Sequence, residues 1–413
     1  MNNKEKINRY FDENNSKIES KIISMLERFI EKKTVNVLSY ELPKFPYLKG
    51  RGDEFKLAEL IKDEFNKNNI FYEEYSKIPE RPNLIGSLGR CENGVSLMLA
   101  GHMDVVPPGE GWETDPFKLV RKGNKLYGRG TSDNKGQIAS ILMASFIIKE
   151  LGIDKDLKGE LQIAALSDEE CTDQDGIEYG VHYLLEEKLI KPTYSIIPDI
   201  GGYMKVIDVA EKGGLKVKVT ATGKQAHAST PEKGINAINM LVDFLYFFNK
   251  EFKFDYTPHP LLGHPTVNVG VINGGAASNI VPGSCSVMID MRTVPGVTID
   301  QIEKKITTLF SKVKNANLKF EVVSASTPHS ISPEISLVEL IQKHGKEVLG
   351  FKPKPVGVGG GTFAKALCLN GCNAVGWGIG NEETFHVANE YIELEELVNF
   401  AKLTCLIAVD LLA

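Results

Sequence analysis

Short apolar runs of four to six residues alternate with longer segments of helical periodicity through much of this 413-residue chain, and that alternation restricts the fold more than any other feature. The runs are Ser96–Ala100, Leu126–Gly130, Leu161–Leu166, Tyr194–Ile197 and Ala374–Trp377. They are too short for helices and read as strands. Helical periodicity marks Ile7–Lys32, where Ile18, Ile22, Met25, Leu26 and Phe29 share one face, and also Asp53–Asn68, Gly136–Leu151 and Gly176–Lys188. Strands separated by such helices pack as βαβ units, so the fold expected is α/β, a doubly wound and mostly parallel sheet. Each run leads to a group that can bind a metal ion: His102, Asp133, Glu169 with Glu170, Asp199 and, after a longer interval, His386. Ligands of open α/β sheets sit outside the carboxyl ends of the strands. The order therefore predicts two histidines and four carboxylates meeting in one crevice.

The texture changes near Glu211–Gly214. Leu215–Thr222 alternates apolar and polar residues, as a strand with one wet face does. A helix over Ile235–Asn249, strands over Thr266–Ile272 and Cys285–Arg292, a helix over Ile299–Lys314 and a strand over Leu318–Val323 complete a β-α-β-β-α-β order, the ferredoxin-like split unit. Alternation of the first kind returns near Ser332. Residues 1–212 and 327–413 are thus expected to form one domain, with an α+β domain of residues 213–326 inserted into it.

Composition excludes several functions. A net charge of −6 offers no basic footprint for nucleic acid, and 42% apolar with 25% charged residues is ordinary for a globular chain. No run approaches the roughly 20 apolar residues of a membrane span. The first thirty residues are polar and mixed in charge, unlike a secretory or transit signal, which makes the cytoplasm the expected compartment. Six scattered cysteines, only Cys368 and Cys372 being close together, read as reduced thiols.

Taken singly, the motifs have ordinary readings. His102 and Asp104 in Gly101–Asp104 lie on the same side of an extended segment, which suits a metal-binding imidazole whose other nitrogen donates to a carboxylate, and equally a satisfied buried histidine. Gly128–Gly136 lacks the spacing of a phosphate loop and reads more simply as a turn presenting Asp133 at a helix start. Asp168–Glu170 could be a solvated turn, or adjacent carboxylates of which one binds an ion while its neighbour takes a proton from water.

The ordered set Gly101–Pro107, Gly128–Gly136, Ser167–Glu170, Pro198–Asp199 and Phe385–Glu390 resembles the co-catalytic dizinc amidohydrolase superfamily over nearly the whole chain. That superfamily includes succinyl-diaminopimelate desuccinylases, acetylornithine deacetylases, aminoacylases, glutamate carboxypeptidases and several dipeptidases. The resemblance implies two divalent ions, zinc foremost with manganese or cobalt as alternatives. One would be held by His102, Asp133 and Asp199, the other by Asp133, Glu170 and His386, with Asp133 bridging. It further implies a cis peptide at Asp133–Asn134, Glu169 as general base and Asp104 as the partner of His102. The inserted domain would serve as a lid and dimerisation domain, with His227 reaching the active site of the other copy in a homodimer. Asn279 and Arg292 would bind a substrate carboxylate, with Gly360, Gly361 and Thr362 offering backbone amides. A strand-end salt bridge for Arg292 and a plain tight turn for the glycines are the alternative readings.

The expected chemistry is hydrolysis of the amide bond of a small amino-acid derivative. Asp199 and Gly359–Leu367 look dipeptidase-like, whereas the compact length and Val105–Phe117 look equally like the N-acyl amino acid deacylases. A dipeptidase or related exopeptidase is the first expectation, a deacylase the alternative, and a catalytically silent binding protein a distant third. The substrate would be a dipeptide or an N-acyl amino acid, with neither nucleic acid nor membrane as partner.

Overall fold

The computed structural model describes residues 1–48, 50–92, 94–170 and 178–413, and these form two units. The larger comprises Met1–Val209, Ile331–Val356 and Thr362–Ala413; the smaller comprises Ala210–Ser330 and Gly357–Gly361.

The larger unit is α/β. Its sheet runs in the order Phe71–Ser76, Pro82–Gly89, Glu160–Leu166, Ser96–His102, Tyr194–Ile197, Asn373–Gly376 and Val206–Glu211, the last of which carries the chain into the smaller unit. The sheet is mixed. Parallel pairing joins the four central strands, from Glu160–Leu166 to Asn373–Gly376; the pairs of Phe71–Ser76 with Pro82–Gly89, of Pro82–Gly89 with Glu160–Leu166 and of Asn373–Gly376 with Val206–Glu211 are antiparallel, and Lys354–Val358 pairs with Val206–Glu211 as well. Connection length accounts for the first of these. Residues 77–81 join the first two strands, far short of the dozen or so residues that a parallel crossover needs.

Helices cover both faces. Met98, Ala100, Ala164, Leu166 and Ala374 pack with Val181, Leu184, Phe363 and Leu367 from the short helices Val181–Glu186 and Phe363–Leu369. Against Ser96–His102 also lie helices Lys135–Glu150 and Leu394–Leu412, and Asn3–Ile30 packs on both of these. Every residue of Ser96–His102 is buried, as in a strand enclosed on two faces. Lys135–Glu150 is buried from Lys135 to Ile148, because helices and sheet surround it rather than water. Of the expected helix Gly176–Lys188, the structure has Val181–Glu186, while Gly176 and Ile177 lie outside the described residues.

One expected strand belongs elsewhere. Of the run Leu126–Gly130 only Leu126 and Tyr127 are in a strand, Lys125–Tyr127, which pairs with Val120–Lys122 and Tyr391–Glu393 in a separate three-stranded sheet. The chain turns at Gly130, where φ is +93° and a side chain would press on Lys135 and Val105. Asp133 is therefore delivered by a turn into a helix, not by a strand of the main sheet.

The smaller unit has the β-α-β-β-α-β order: Gly213–Thr222, Ala237–Glu251, Thr266–Gly274, Ser284–Thr293, Ile299–Phe310 and Leu318–Ala325. Its four main strands lie in the order Thr266–Gly274, Ser284–Thr293, Gly213–Thr222, Leu318–Ala325, all antiparallel. Leu215, Val217, Val219 and Ala221 face a core with Leu241, Phe244, Phe248 and Ile306. Thr266–Gly274 is an edge strand exposed at every residue, Val267, Val269, Val271 and Ile272 included. Among the described residues no helix is long and apolar enough to cross a membrane, and Cys91, Cys285, Cys368, Cys372 and Cys405 are unbridged.

The sheet meets the helix that follows Asp133 at Gly101. A methyl group there would collide with Asn134 Oδ1 and lie 2.8 Å from Ile138 Cγ1. Gly101→Ala should destabilise the fold by about 1–3 kcal/mol through overpacking, seen as a lowered thermal unfolding midpoint of the metal-free protein.

Candidate metal centre

Three parallel neighbours end side by side. Ser96–His102 ends on buried His102, in register with Leu166 of Glu160–Leu166, so Ser167–Glu170 emerges beside it. Tyr194–Ile197, on the other side, reaches Asp199 two residues past its end. Asp133 arrives from the turn before Lys135–Glu150, across a cis Asp133–Asn134 peptide as the resemblance implies. His386 follows the short 3-10 turn Glu382–Thr384 and has φ +62°, a left-handed conformation costing a non-glycine residue of order 1–3 kcal/mol.

The two oxygens of Asp133 face different imidazoles. Oδ1 is 2.8 Å from His102 Nε2, and Oδ2 is 2.9 Å from His386 Nε2. His102 Nε2 also lies 3.7 Å from Asp199 Oδ1, and His386 Nε2 lies 3.1 Å from Glu170 Oε2. Ligand atoms of His102, Asp133 and Glu170 fall within 4.8 Å of one another, as do those of His102, Glu169 and Asp199. On its other edge, His102 Nδ1 faces Asp104, 3.0 Å from the carbonyl and 3.4 Å from Oδ1. Asp104 also accepts the backbone N–H groups of Glu169 and Glu170 at 3.1 and 3.0 Å.

Five carboxylates thus surround two imidazoles, and their protonation reflects a shortage of positive charge. Burial raises Glu169 well above the usual carboxylate range, assisted by the charge of Asp199. Burial and the charge of Asp133 push Glu170 to about 8 and Asp199 to about 6. Burial opposes charge on the His102 ring, yet bonding to Asp104, Asp133 and Asp199 raises it well above the ordinary histidine range. Bonds to Asp133 and Glu170 bring His386 to about 10. Glu170 Oε1 is buried with no hydrogen-bond partner among the described residues. An imidazole–carboxylate donor set with an unsatisfied buried oxygen is what a divalent cation requires, and metal ions fit here.

A clamp that sequence reasoning left without a role holds Asp133. Glu390 Oε1 accepts the backbone N–H groups of Ser132 at 2.8 Å and of Gly130 and Asp133 at 3.1 Å, while Oε2 accepts from Arg129 Nη1 at 2.6 Å. Arg129 and Glu390 are both buried. The only sequence signal was a charged residue between two glycines, Gly128 and Gly130, paired with an acid 261 positions away.

The remaining predicted residues fall in two places. Thr362 belongs to the larger unit and caps helix Phe363–Leu369 through its hydroxyl. His227, Asn279, Arg292, Gly360 and Gly361 belong to the smaller unit. There the exposed His227 pairs with Ile280 across a two-stranded ladder, its Nδ1 is 2.7 Å from Ser229 Oγ, and Ala228 N–H donates to the Asn279 carbonyl. Arg292 Nε donates to Asp290 at 3.1 Å, and its Nη1 lies 3.5 Å from the Gly359 carbonyl.

The profile of peptidase family M20/M25/M40 matches residues 98–410. The chain belongs to this family. It is similar to an uncharacterised metallohydrolase of Methanocaldococcus jannaschii, with 32% identity, covering 86% of this chain and 93% of that protein. Acetylornithine deacetylase of Proteus mirabilis is also 32% identical, over 78% of this chain and 81% of its own. The solved structure of the aminopeptidase PepT from Bacillus cereus shares the fold, with a TM-score of 0.72 at 21% identity over 95% of this chain and 98% of the other. As an M20 member the chain is a metallohydrolase.

The Glu390 clamp predicts that Glu390→Ala weakens metal binding about 10–100-fold, the usual cost of losing an outer partner of a ligand. Competition with a chromogenic chelator measures it.

Proposed function

We propose that this M20 enzyme hydrolyses the peptide bond of dipeptides or other short peptides with a free amino terminus, using two divalent ions and Glu169 as general base. The observation that carries the two-ion reading is the placement of the Asp133 oxygens against two separate imidazoles, His102 and His386. Asp133 would be shared, with His102 and Asp199 holding one ion and Glu170 and His386 holding the other. Zinc suits this donor set best, with manganese and cobalt as alternatives. When bound, such ions lower the pKa of water and stabilise charge on a carbonyl oxygen.

The chain's own residues supply the rest. Asp104 orients the His102 ring and, by accepting the N–H groups of Glu169 and Glu170, fixes where their side chains begin. Glu169 takes the proton of the attacking water and returns it to the departing nitrogen. His227 stabilises the tetrahedral oxyanion from a second copy of the chain, and Asn279, Arg292, Gly360, Gly361 and Thr362 bind the substrate carboxylate, where the arginine fork suits bidentate pairing. The homodimer this requires is supported by the exposed apolar edge strand Thr266–Gly274, a ready template for a matching edge. A cytoplasmic location is supported by the unbridged thiols.

Asp199 carries the choice of peptides, since dipeptidases and aminopeptidases of the superfamily resemble this chain there while deacylases more often have glutamate. The second reading, an N-acyl amino acid deacylase, is favoured by the similarity to acetylornithine deacetylases. Matched panels of dipeptides and N-acetyl or N-succinyl amino acids separate the two, and cleavage confined to free α-amino substrates is expected. Chelation should abolish turnover. Glu169→Gln should lower kcat by about 10²–10⁴-fold, the scale of general acid–base catalysis, with metal content by mass spectrometry unchanged. Val269→Lys combined with Val271→Lys should convert the dimer to a monomer in sedimentation velocity and cost as much activity as His227→Ala.

A further inference from the structure

Behind the acidic turn lies a second set of buried polar groups that metal binding does not use: Asn36, Glu54, Arg81 and Asp168. Arg81, just before the strand Pro82–Gly89, is 1% exposed. Its Nη1 donates to Asp168 Oδ1, its Nη2 donates to Asn36 Oδ1 at 2.8 Å, and its Nε donates to the Arg51 carbonyl at 3.0 Å. An arginine has no acceptor, so only the amide oxygen of Asn36 can face it. The amide NH2 is thereby turned the other way, and it donates to Asp104 Oδ2 at 2.8 Å and to Asp168 Oδ1 at 3.1 Å.

We infer that Asn36, oriented by Arg81, is a positioning residue for Glu169, acting by holding Asp104 and Asp168 on either side of one amide group. Asp104 and Asp168 are buried acids that follow two neighbouring strands, Ser96–His102 and Glu160–Leu166, and their charges repel. Asn36 is the neutral donor between them, one N–H for each. Asp104 fixes the backbone N–H groups of Glu169 and Glu170. Asp168, the residue before Glu169, is itself in a left-handed conformation, φ +63°, with Oδ2 accepting the Tyr179 N–H at 3.0 Å. The Glu169 backbone is therefore anchored on two sides, and Asn36 bonds both anchors, Asp104 and Asp168. Arg81 supplies the orientation of that amide and, with Arg51 3.9 Å from Asp168 Oδ1, the positive charge of the cluster. Asn36→Asp keeps the shape and removes both donors, placing a third acid between two. This inference rests on the reading of Glu169 as general base.

The test is a double-mutant cycle of Asn36→Asp and Glu169→Gln on the metal-saturated enzyme, with kcat, KM, thermal midpoint and chelator-competition metal affinity measured for each protein. Asn36→Asp should lower kcat about 10–100-fold with KM little changed, and the double variant should be no slower than Glu169→Gln alone, because the lost positioning has no base left to act on. Arg81→Lys should show a smaller loss of the same kind and provides the same cycle if Asn36→Asp does not fold. Additive losses, or normal kcat in a folded, metal-loaded Asn36 variant, overturn the inference while Glu169→Gln remains inactive. Near-normal activity of Glu169→Gln overturns instead the assignment of the base.

Discussion

Mutual repulsion among five carboxylates, four of them just past the ends of three adjacent strands and Asp133 at the start of a helix, is the constraint around which the larger unit is organised. Asp104, Asp133, Glu169, Glu170 and Asp199 lie too close for all to carry charge unaided, and burial leaves little water to screen them. Burial and neighbouring acids drive Glu170 to about 8 and Asp199 to about 6, while His102 and His386 are drawn toward the charged form. A cluster of this kind is held by the surrounding fold and rewarded by cations. That inverts the usual relation between core and site: the buried strand Ser96–His102 and the enclosed helix Lys135–Glu150 supply the rigidity against which the acids are kept together.

The fold class and the membership of the acidic cluster were legible in the sequence because both rest on local pattern. A strand buried on both faces must be a continuous apolar run, and the residue just past its carboxyl end must lie at the crevice. His102, Glu169, Glu170 and Asp199 could be read that way. The smaller unit was legible for a different reason: Leu215, Val217, Val219 and Ala221 alternate with wet residues, and that alternation survives only in a sheet with one covered face.

What was not legible depends on pairing rather than pattern. Leu126–Gly130 looked like another strand of the main sheet, but whether a short apolar run joins one sheet or another is decided by its partners, here Val120–Lys122 and Tyr391–Glu393. The antiparallel flanks were hidden for the same reason. Asn36 and Arg81 carry no local signal, and Arg129 and Glu390, though inside the motifs Gly128–Gly136 and Phe385–Glu390, carry none that pairs them with each other. Their roles come from hydrogen bonds that span 45 to 261 positions.

The two arginine clusters share one physical logic. Each pairs a buried guanidinium with a buried carboxylate, Arg81 with Asp168 and Arg129 with Glu390, and in each the site is reached through backbone N–H groups or a neighbouring amide. Buried ion pairs are weak contributors to stability, because desolvation consumes most of the attraction and an apolar replacement of equal volume often does as well. Net stability therefore does not explain why four ionised side chains are enclosed here. Geometry does: a carboxylate accepting three N–H groups from Gly130, Ser132 and Asp133 fixes a turn more sharply than apolar packing can, since its bonds have direction as well as distance. The same directional demand applies to Asn36, whose two donors must meet Asp104 and Asp168 at once. A centre whose acids repel one another needs restoring forces with direction, and buried charge supplies them at the expense of stability that the large apolar core can absorb.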